Sequence, residues 1–203
     1  GNVSAGSAVL QLTIDTEAPG VPPSPQLQAG SDTGISDSDH LTRLDSPVLT
    51  VTDFGDYYQV ERNGQRVGGV YESAPEFTDG PVPEGNVSYA VRAIDPAGNA
   101  SDVSSPLVVT VDTLAPDRPA APALWEEDDT GISSADGITA APDLHFGISS
   151  SGGYFRFYEG DEQLGGDFES GDAFLVTSPA EGSRSYRTAS VDAAGNRSEL
   201  SAA

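Results

Sequence analysis

The chain has 203 residues, 36% of them hydrophobic, and its 32 acidic and 9 basic residues give a formal net charge of −23. Every basic residue is an arginine, and such an acidic surface is a poor partner for nucleic acid or for an anionic membrane. Because there is no cysteine, a disulfide framework, a thiolate metal site and a cysteine nucleophile are excluded. No apolar run approaches the roughly 20 residues of a membrane span, so we expect no membrane insertion.

In chain order, short stretches with period-2 alternation predict strands at residues 47–52, 57–62, 86–95 and 106–112. The 23 glycines and 15 prolines mark frequent turns, and no stretch has a convincing helical period. An all-β protein is therefore expected. With only two histidines, His40 and His145, the chain has too few residues of the type needed for a Ser-His-Asp triad or a histidine–metal site, so we expect no enzyme. The sequence does not exclude a catalytic carboxylate pair of the glycosidase kind.

The sequence repeats itself at an offset of 97 residues, the distance from Asp32 to its match Asp129. DTEAP (15–19) matches DTLAP (112–116), SDTGIS (31–36) matches DDTGIS (128–133), and residues 84–101 match 181–198. About seven short strands per unit predict two tandem immunoglobulin-like Greek-key β-sandwiches. The expected divisions are residues 1–14 as the final strand of a preceding repeat, 15–111 as repeat 1, and 112–203 as repeat 2 without its last strand.

Three acidic segments are expected to meet at the junction between the repeats. In such a sandwich the loop after the first strand (31–39) lies at the exit pole, while the loop DAAGN (192–196) lies at the entry pole of the next unit. The linker 111–116 passes between them. Carboxylates gathered there repel one another, and the chain has no lysine to offset them, so a hard cation is expected, with calcium at the interdomain junction fitting best.

The expected calcium ligands are acidic and threonine residues in both repeats: Asp15, Asp32, Thr33, Asp39, Asp95, Asp112, Asp129, Thr130, Asp136 and Asp192. The carbonyl of Gly34 or of its neighbours would complete the shell. Asp37 aligns with Ser134, and Ser31 aligns with Asp128, so an acidic residue is present in only one repeat at each of these two positions. They are therefore the least certain to be calcium ligands. The alternative is a solvated acidic hinge in which Asp and Asn only cap turns.

Together, DTEAP, SDTGISDSDHLT, DPAGNAS and VVTVDTLAP resemble the bacterial Ig-like repeats of giant calcium-binding surface adhesins, which are secreted with RTX-like C-terminal signals. The resemblance covers nearly the whole chain. It implies an extracellular, non-enzymatic spacer at the bacterial cell surface, stiffened by Ca²⁺ and used in cell adhesion and biofilm. The alternative is a module that binds carbohydrate or protein through a set of aromatics expected to be exposed: Trp125, Tyr57, Tyr58, Tyr154 and Phe155.

Neighbouring repeats of the same chain are the expected partners. Residues 7–15 match residues 104–112, which contain the strand predicted at 106–112, so residues 7–14 are expected to be the final strand of a preceding repeat that is absent here. We therefore expect head-to-tail strand exchange, in which residues 7–14 of one molecule complete repeat 2 of the next and bring Asp15 beside Asp129 and Asp136. In the competing interpretation, these residues fold back on repeat 1. Tyr89 and Tyr186 lie where a tyrosine corner is expected.

Overall fold

A computed structural model of the protein describes residues 1–202, and every regular element in that range is a β-strand. The strands are β1 (Gln26–Leu27), β2 (Leu41–Thr42), β3 (Val48–Thr50), β4 (Tyr57–Arg62), β5 (Gln65–Glu72), β6 (Glu76–Thr78), β7 (Gly85–Ile94), β8 (Leu107–Val111), β9 (Ala123–Leu124), β10 (Asp143–Gly147), β11 (Tyr154–Glu159), β12 (Glu162–Ser170), β13 (Ala173–Thr177) and β14 (Tyr186–Val191). The expected all-β class is confirmed. Across residues 1–202, no helix is long and apolar enough to cross a membrane.

All four predicted strands form, as β3, β4, β7 and β8, and they belong to two sheets. One sheet has the order β1-β3-β6, and the other has the order β2-β8-β7-β4-β5. Tyr58 and Val60 alternate with less buried neighbours along β4, as the period of a strand with one face in the core requires. The alternation of apolar and polar residues in the sequence therefore corresponds to the buried and exposed faces of these strands.

The later strands form two three-stranded sheets, ordered β13-β10-β9 and β12-β11-β14. A cluster of buried side chains lines them: Leu144, Phe146, Ile148, Phe155, Phe157 and Val176. In this part of the chain β14 lies at the edge of its sheet, whereas its repeat equivalent β7 lies between β4 and β8. This difference leaves one side of β14 without a strand neighbour among residues 1–202.

The chain divides into two compact units. Unit 1 comprises Gly1–Gln26, Leu49–Asp79 and Ser88–Leu107, and unit 2 comprises Leu27–Val48, Gly80–Val87 and the chain from Val108 onward. Four of the five boundaries between the units fall inside β1, β3, β7 and β8, and the fifth lies between Asp79 and Gly80, after β6. They do not test the repeats predicted at 15–111 and 112–203, which stay a prediction.

The two tyrosines expected at a corner have different surroundings. In unit 1 the fully buried Tyr89 hydroxyl donates to Asp79 Oδ2 at 2.8 Å, and Arg62 Nη1 donates to the same oxygen at 2.8 Å. A tyrosine corner donates to a backbone carbonyl instead, so this bond is of another kind. Burial raises the pKa of Tyr89. In unit 2 the buried Tyr186 hydroxyl has no hydrogen-bond partner within the described chain.

Candidate functional site

Asp32 and Asp129 occupy equivalent, buried positions in the two acidic loops, with 6% and 7% of their surface exposed. Oδ2 of Asp32 accepts the backbone N–H of His40 at 3.1 Å, and Oδ2 of Asp129 accepts that of Gly137 at 3.1 Å. The other carboxylate oxygen, Oδ1, is buried in both residues and has no partner among residues 1–202. An unsatisfied buried carboxylate oxygen is costly, and here it occurs twice at the same place in the repeat.

Burial raises the pKa of the Asp32 carboxyl, and the neighbouring Asp39 carboxylate raises it further, while the backbone N–H of His40 opposes the rise. The physical cause is that the loop removes a negative charge from water and places a second one beside it. The charged form of Asp32 is therefore less stable in the fold than in water. A cation at Oδ1 would reverse this penalty.

Four of the other predicted ligands cap turns two residues ahead. Oδ1 of Asp39 accepts the N–H of Leu41 at 3.0 Å, and Oδ1 of its equivalent Asp136 accepts that of Ile138 at 3.0 Å. Asp15 and Asp112 accept the N–H groups of Glu17 and Leu114, both at 3.1 Å. Each of these bonds is the Asx-turn use of an aspartate. It leaves the second oxygen of each carboxylate open to solvent or to an ion.

Asp95 and Asp192 hold the loops 95–99 and 192–196 through an asparagine four residues later. Asn99 donates its side-chain amide to Asp95 Oδ2 at 2.8 Å and its backbone N–H to Oδ1 at 2.8 Å. These bonds lower the pKa of Asp95, and the bond from the Asn99 side chain has the larger effect. In unit 2, Asn196 makes the same pair of bonds to Asp192, at 3.0 and 2.8 Å.

The two asparagines also reach the linker aspartates. Nδ2 of Asn99 donates to the backbone carbonyl of Asp15 at 3.2 Å in unit 1. Nδ2 of Asn196 donates to the carbonyl of Asp112 at 2.7 Å in unit 2. The loop and the linker segment are thus joined in the same way twice.

Within unit 2, loop 31–43 contacts loop 192–196 through backbone carbonyls. Thr33 Oγ1 donates to Ala194 O at 3.0 Å, and the N–H of Ile35 donates to Ala193 O at 3.1 Å. The guanidinium of Arg43 adds a bond from Nη1 to Gly195 O at 2.9 Å. The three expected segments, 31–39, 112 and 192–196, are therefore in contact by hydrogen bonds. Among residues 1–202, however, no three His, Asp or Glu side chains are grouped closely enough to hold a metal ion by themselves.

Gly34 is required at the centre of this contact. Its φ is +100°, and a Cβ there would overlap Ala193 O and lie within 3.0 Å of the Ala193 carbonyl carbon. Gly131, its repeat equivalent, has φ +116°, but its nearest neighbour would be Ile138 O at 3.7 Å. The two glycines share a backbone conformation, and only Gly34 is also needed for close approach.

The two threonines of the predicted ligand set, and the equivalent residues Ser31 and Asp128, accept backbone N–H groups that fix the loops. Thr33 Oγ1 accepts the N–H of Arg43 at 2.8 Å, and Thr130 Oγ1 accepts that of Ala140 at 2.8 Å. Ser31 Oγ accepts the N–H of Val48 at 2.9 Å. At the equivalent place, Asp128 Oδ2 accepts the N–H of His145 at 2.6 Å. Ser31 and Asp128 therefore share one task, which the change of residue type concealed in the sequence.

His145 was not singled out by the sequence, yet it belongs to an exposed aromatic group. Its ring lies stacked on Trp125, with the ring centroids 4.9 Å apart and an interplanar angle of 18°. Its Nδ1 lies 2.8 Å from Asp128 Oδ2, and Trp125 is 42% exposed. Tyr58 and Phe155, by contrast, are buried in the core. Trp125 is thus the aromatic of the predicted binding set that is most available to a ligand.

Comparison with known proteins gives a family match for part of the chain. Residues 19–113 match the model of a family described as "Bacterial Ig-like domain". No curated protein matches the sequence. Among solved structures, 49 chains match.

Three of these structures illustrate the range of likeness. The fibronectin(III)-like modules of Clostridium thermocellum CbhA are 12% identical over 87% of this chain and 90% of theirs, with a TM-score of 0.52. The human OSCAR ligand-binding domain is 15% identical, over 89% and 97%, with a TM-score of 0.35. Bacteroides ovatus SGBP-B, in complex with mixed-linkage heptasaccharide, is 16% identical, over 80% and 41%, with a TM-score of 0.30. The chain therefore has an all-β, sandwich-type fold like that of fibronectin(III)-like modules, and its residues 19–113 resemble a bacterial Ig-like domain.

Proposed function

We propose that this chain is a non-enzymatic, extracellular spacer segment of a bacterial surface adhesin, in which bound calcium stiffens tandem Ig-like repeats. The match of residues 19–113 to a bacterial Ig-like domain supports the module, and the acidic loops support the ion. The role is mechanical: the segment holds a distal binding domain away from the cell, with no turnover.

One observation carries the calcium part of the proposal. Oδ1 of Asp32 and Oδ1 of Asp129 are buried and unpartnered at equivalent positions, so each is an open ligand for a hard cation. Calcium binds carboxylate, hydroxyl and backbone carbonyl oxygens in flexible geometry. This suits loops of the described chain in which fewer than three acidic side chains lie close together and backbone carbonyls would supply the remaining ligands. Asp39 and Asp136, like Asp15 and Asp112, each use one carboxylate oxygen to cap a turn, as they would in the alternative solvated hinge, and would bind the ion through the other oxygen.

Asp32 with Asp39, and Asp129 with Asp136, would hold the ion, aided by Thr33 and Thr130. Asp112 with Asp192, and Asp15 with Asp95, would contribute where loop and linker meet. When bound, calcium supplies positive charge that offsets the repulsion among these carboxylates. The residues themselves fix the loops: Thr33 and Arg43 bind the carbonyls of loop 192–196, and Asn196 holds the linker at Asp112.

The test compares Asp32→Asn with a matched control, Asp37→Asn, by thermal unfolding in chelator and in 10 mM calcium. Asp37 is an exposed acid in the same loop, outside the proposed ligand set. For a weak extracellular site with a Kd of about 0.1–1 mM, 10 mM calcium stabilises the fold by about 1.4–2.7 kcal/mol, or about 3–10 °C in Tm. The parent and Asp37→Asn should show this rise.

Asp32→Asn should lose part of the calcium-dependent rise, yet unfold in chelator at a Tm no lower than that of the parent, because it removes a buried charge. An identical Tm for the parent in chelator and in calcium would refute the calcium proposal. Small-angle scattering of the parent in both buffers tests the spacer part, for which calcium should increase the maximum dimension.

A second function, ligand binding, is favoured by the exposed stack of Trp125 on His145. Flat aromatic faces bind the apolar faces of sugars, and Asp128 beside the stack offers an acceptor for hydroxyl groups. A glycan array gives the test: a reproducible hit that Trp125→Ala abolishes, while exposed Leu175→Ala does not, would favour the binding module.

A further inference from the structure

Unit 2 contains a cavity of about 260 Å³ between residues 118–120 and the loop that precedes β11. Its lining residues are Arg118, Pro119, Ala120, Ser149, Ser150 and Ser151. The volume is below the range of about 300–1,000 Å³ that is usual for drug-sized ligands, so only a small group can enter. Besides one proline and one alanine, the lining consists of a guanidinium group and three hydroxyl groups.

Arg118 supplies the positive charge of this cavity. Seven of the nine arginines donate a side-chain hydrogen bond to an oxygen atom: Arg43, Arg62, Arg92, Arg156, Arg184, Arg187 and Arg197. The other two, Arg66 and Arg118, have no side-chain partner within residues 1–202. Arg66 lies opposite Glu61 in the β4–β5 hairpin, whereas Arg118 lines the cavity. The Arg118 guanidinium is therefore available to a bound anion.

The corresponding place in unit 1 is acidic and lacks the arginine. By the 97-residue offset, Arg118 corresponds to Val21. The segment that leads into β11 reads GISSSGG at residues 147–153, whereas the segment that leads into β4 reads TDFGD at residues 52–56. Unit 2 thus has three serines and no acid in this loop, where unit 1 has two aspartates. The loss of local negative charge coincides with the arginine, and both changes favour an anion.

Loop 147–153 is fixed against two neighbouring parts of unit 2. Ser151 donates its hydroxyl to Asp117 O at 3.0 Å and its backbone N–H to Ser190 Oγ at 3.3 Å. A Cβ at Gly152 would overlap Val191 O, so the loop lies directly on the end of β14. The serine wall of the cavity is therefore preformed, and binding would cost little conformational entropy there.

The opposite wall is held by a second hydroxyl that unit 1 lacks. Thr188 Oγ1 donates to Ala120 O at 3.4 Å. Thr188 is 1% exposed and Ser190 is fully buried, and their equivalents in β7 are Val91 and Ala93, whose side chains form no such bonds. Changes at three separate places in the sequence, at 118, 147–153 and 188–190, thus meet at one cavity.

We propose that this cavity binds a carboxylate-bearing sugar residue, such as a hexuronate, through Arg118. A guanidinium binds a carboxylate through two parallel N–H···O bonds, which fix its orientation as well as its charge. The Ser149 hydroxyl, which has no partner within residues 1–202, would bind a sugar hydroxyl, and Pro119 presents an apolar surface to the ring. The site shares no residue with the proposed calcium ligands and does not depend on them.

Nearby acids limit the affinity without blocking the site. Asp117, Asp172 and Asp192 border the loop or the entering segment, but none of them forms an ion pair with Arg118 within residues 1–202. These charges, and the formal net charge of −23, oppose the approach of any anion. For one sugar residue in such a site we expect a Kd of about 1–10 mM.

NMR titration of the ¹⁵N-labelled 203-residue chain with glucuronate, in chelator so that no calcium contributes, measures this binding. The amide signals of residues 149–153 and the Nε–H signal of Arg118 should shift and saturate. Acetate carries the carboxylate without the ring, and glucose carries the ring without the carboxylate, so each should bind at least about tenfold more weakly. Absence of saturable shifts with glucuronate, or equal binding of acetate or glucose, would overturn the proposal.

Two arginine variants locate the binding. Arg118→Gln should weaken glucuronate binding at least about tenfold, because the bonds to the carboxylate lose their positive charge. The matched control Arg66→Gln removes the other unpartnered arginine and should leave the Kd unchanged. Both side chains are exposed, so both variants should unfold at the Tm of the parent. Ser149→Asp, which returns an acid to the loop as in unit 1, should also weaken binding. Equal Kd values for the two arginine variants would refute the assignment to this cavity.

Discussion

Replacing Gly34 by alanine should destabilise the fold much more than the same replacement at Gly131. Both positions have positive φ, so both variants suffer the strain of an L residue in that region, about 1–2 kcal/mol. Only at Gly34 would the new Cβ overlap a backbone carbonyl, that of Ala193. Because the obstacle is backbone, no side-chain rotation can relieve the overlap.

The extra cost at Gly34 follows from the bonds that must break. Separating loop 31–43 from loop 192–196 removes the bonds of Thr33 to Ala194 O, of Ile35 to Ala193 O and of Arg43 to Gly195 O. At about 1 kcal/mol each, these add about 3 kcal/mol. We therefore expect about 4–5 kcal/mol for Gly34→Ala and about 1–2 kcal/mol for Gly131→Ala.

Urea unfolding followed by tryptophan fluorescence and circular dichroism measures both variants against the parent, all in chelator so that no ion contributes. The second probe checks that one transition is being compared. Equal losses of unfolding free energy would show that the contact between the two loops adds nothing to stability, and would refute the reasoning.

Two further pairs of variants test individual hydrogen bonds by the same method. Tyr89→Phe removes a buried bond to a carboxylate and should cost about 1.5–3 kcal/mol, whereas Tyr186→Phe removes an unpartnered buried hydroxyl and should be neutral or stabilising; the reverse order would contradict the hydrogen-bond assignment. Asp128→Ser keeps an acceptor for the His145 N–H, as Ser31 does for Val48, and should be tolerated better than Asp128→Ala. The backbone N–H of His145 lowers the pKa of Asp128 below its ordinary value of 3.8, so the ionised carboxylate stabilises the fold above pH 3.8 and this stabilisation is lost as the pH falls through the folded pKa. The free energies of unfolding of the parent and of Asp128→Ser should therefore converge in acid. A constant difference between these two free energies down to about pH 2 would contradict this.

The sequence by itself determined the strands and the repeat. Period-2 alternation located β3, β4, β7 and β8, because a strand with one face in the core requires it. The recurrence of turn residues at one offset identified equivalent positions such as Asp32 and Asp129, since turn chemistry is local. These are short-range properties, which neighbouring residues fix.

Only the tertiary structure decided what each acidic residue does. Asp32 and Asp39 look alike in the sequence, yet Asp39 caps its own turn while Asp32 is buried with one oxygen unpartnered. Thr33 meets Ala194 across 161 positions of the chain, and no local pattern encodes such a contact. The physical reason is that a carboxylate's hydrogen bonds and hydration depend on which distant backbone is packed against it, and packing decides that.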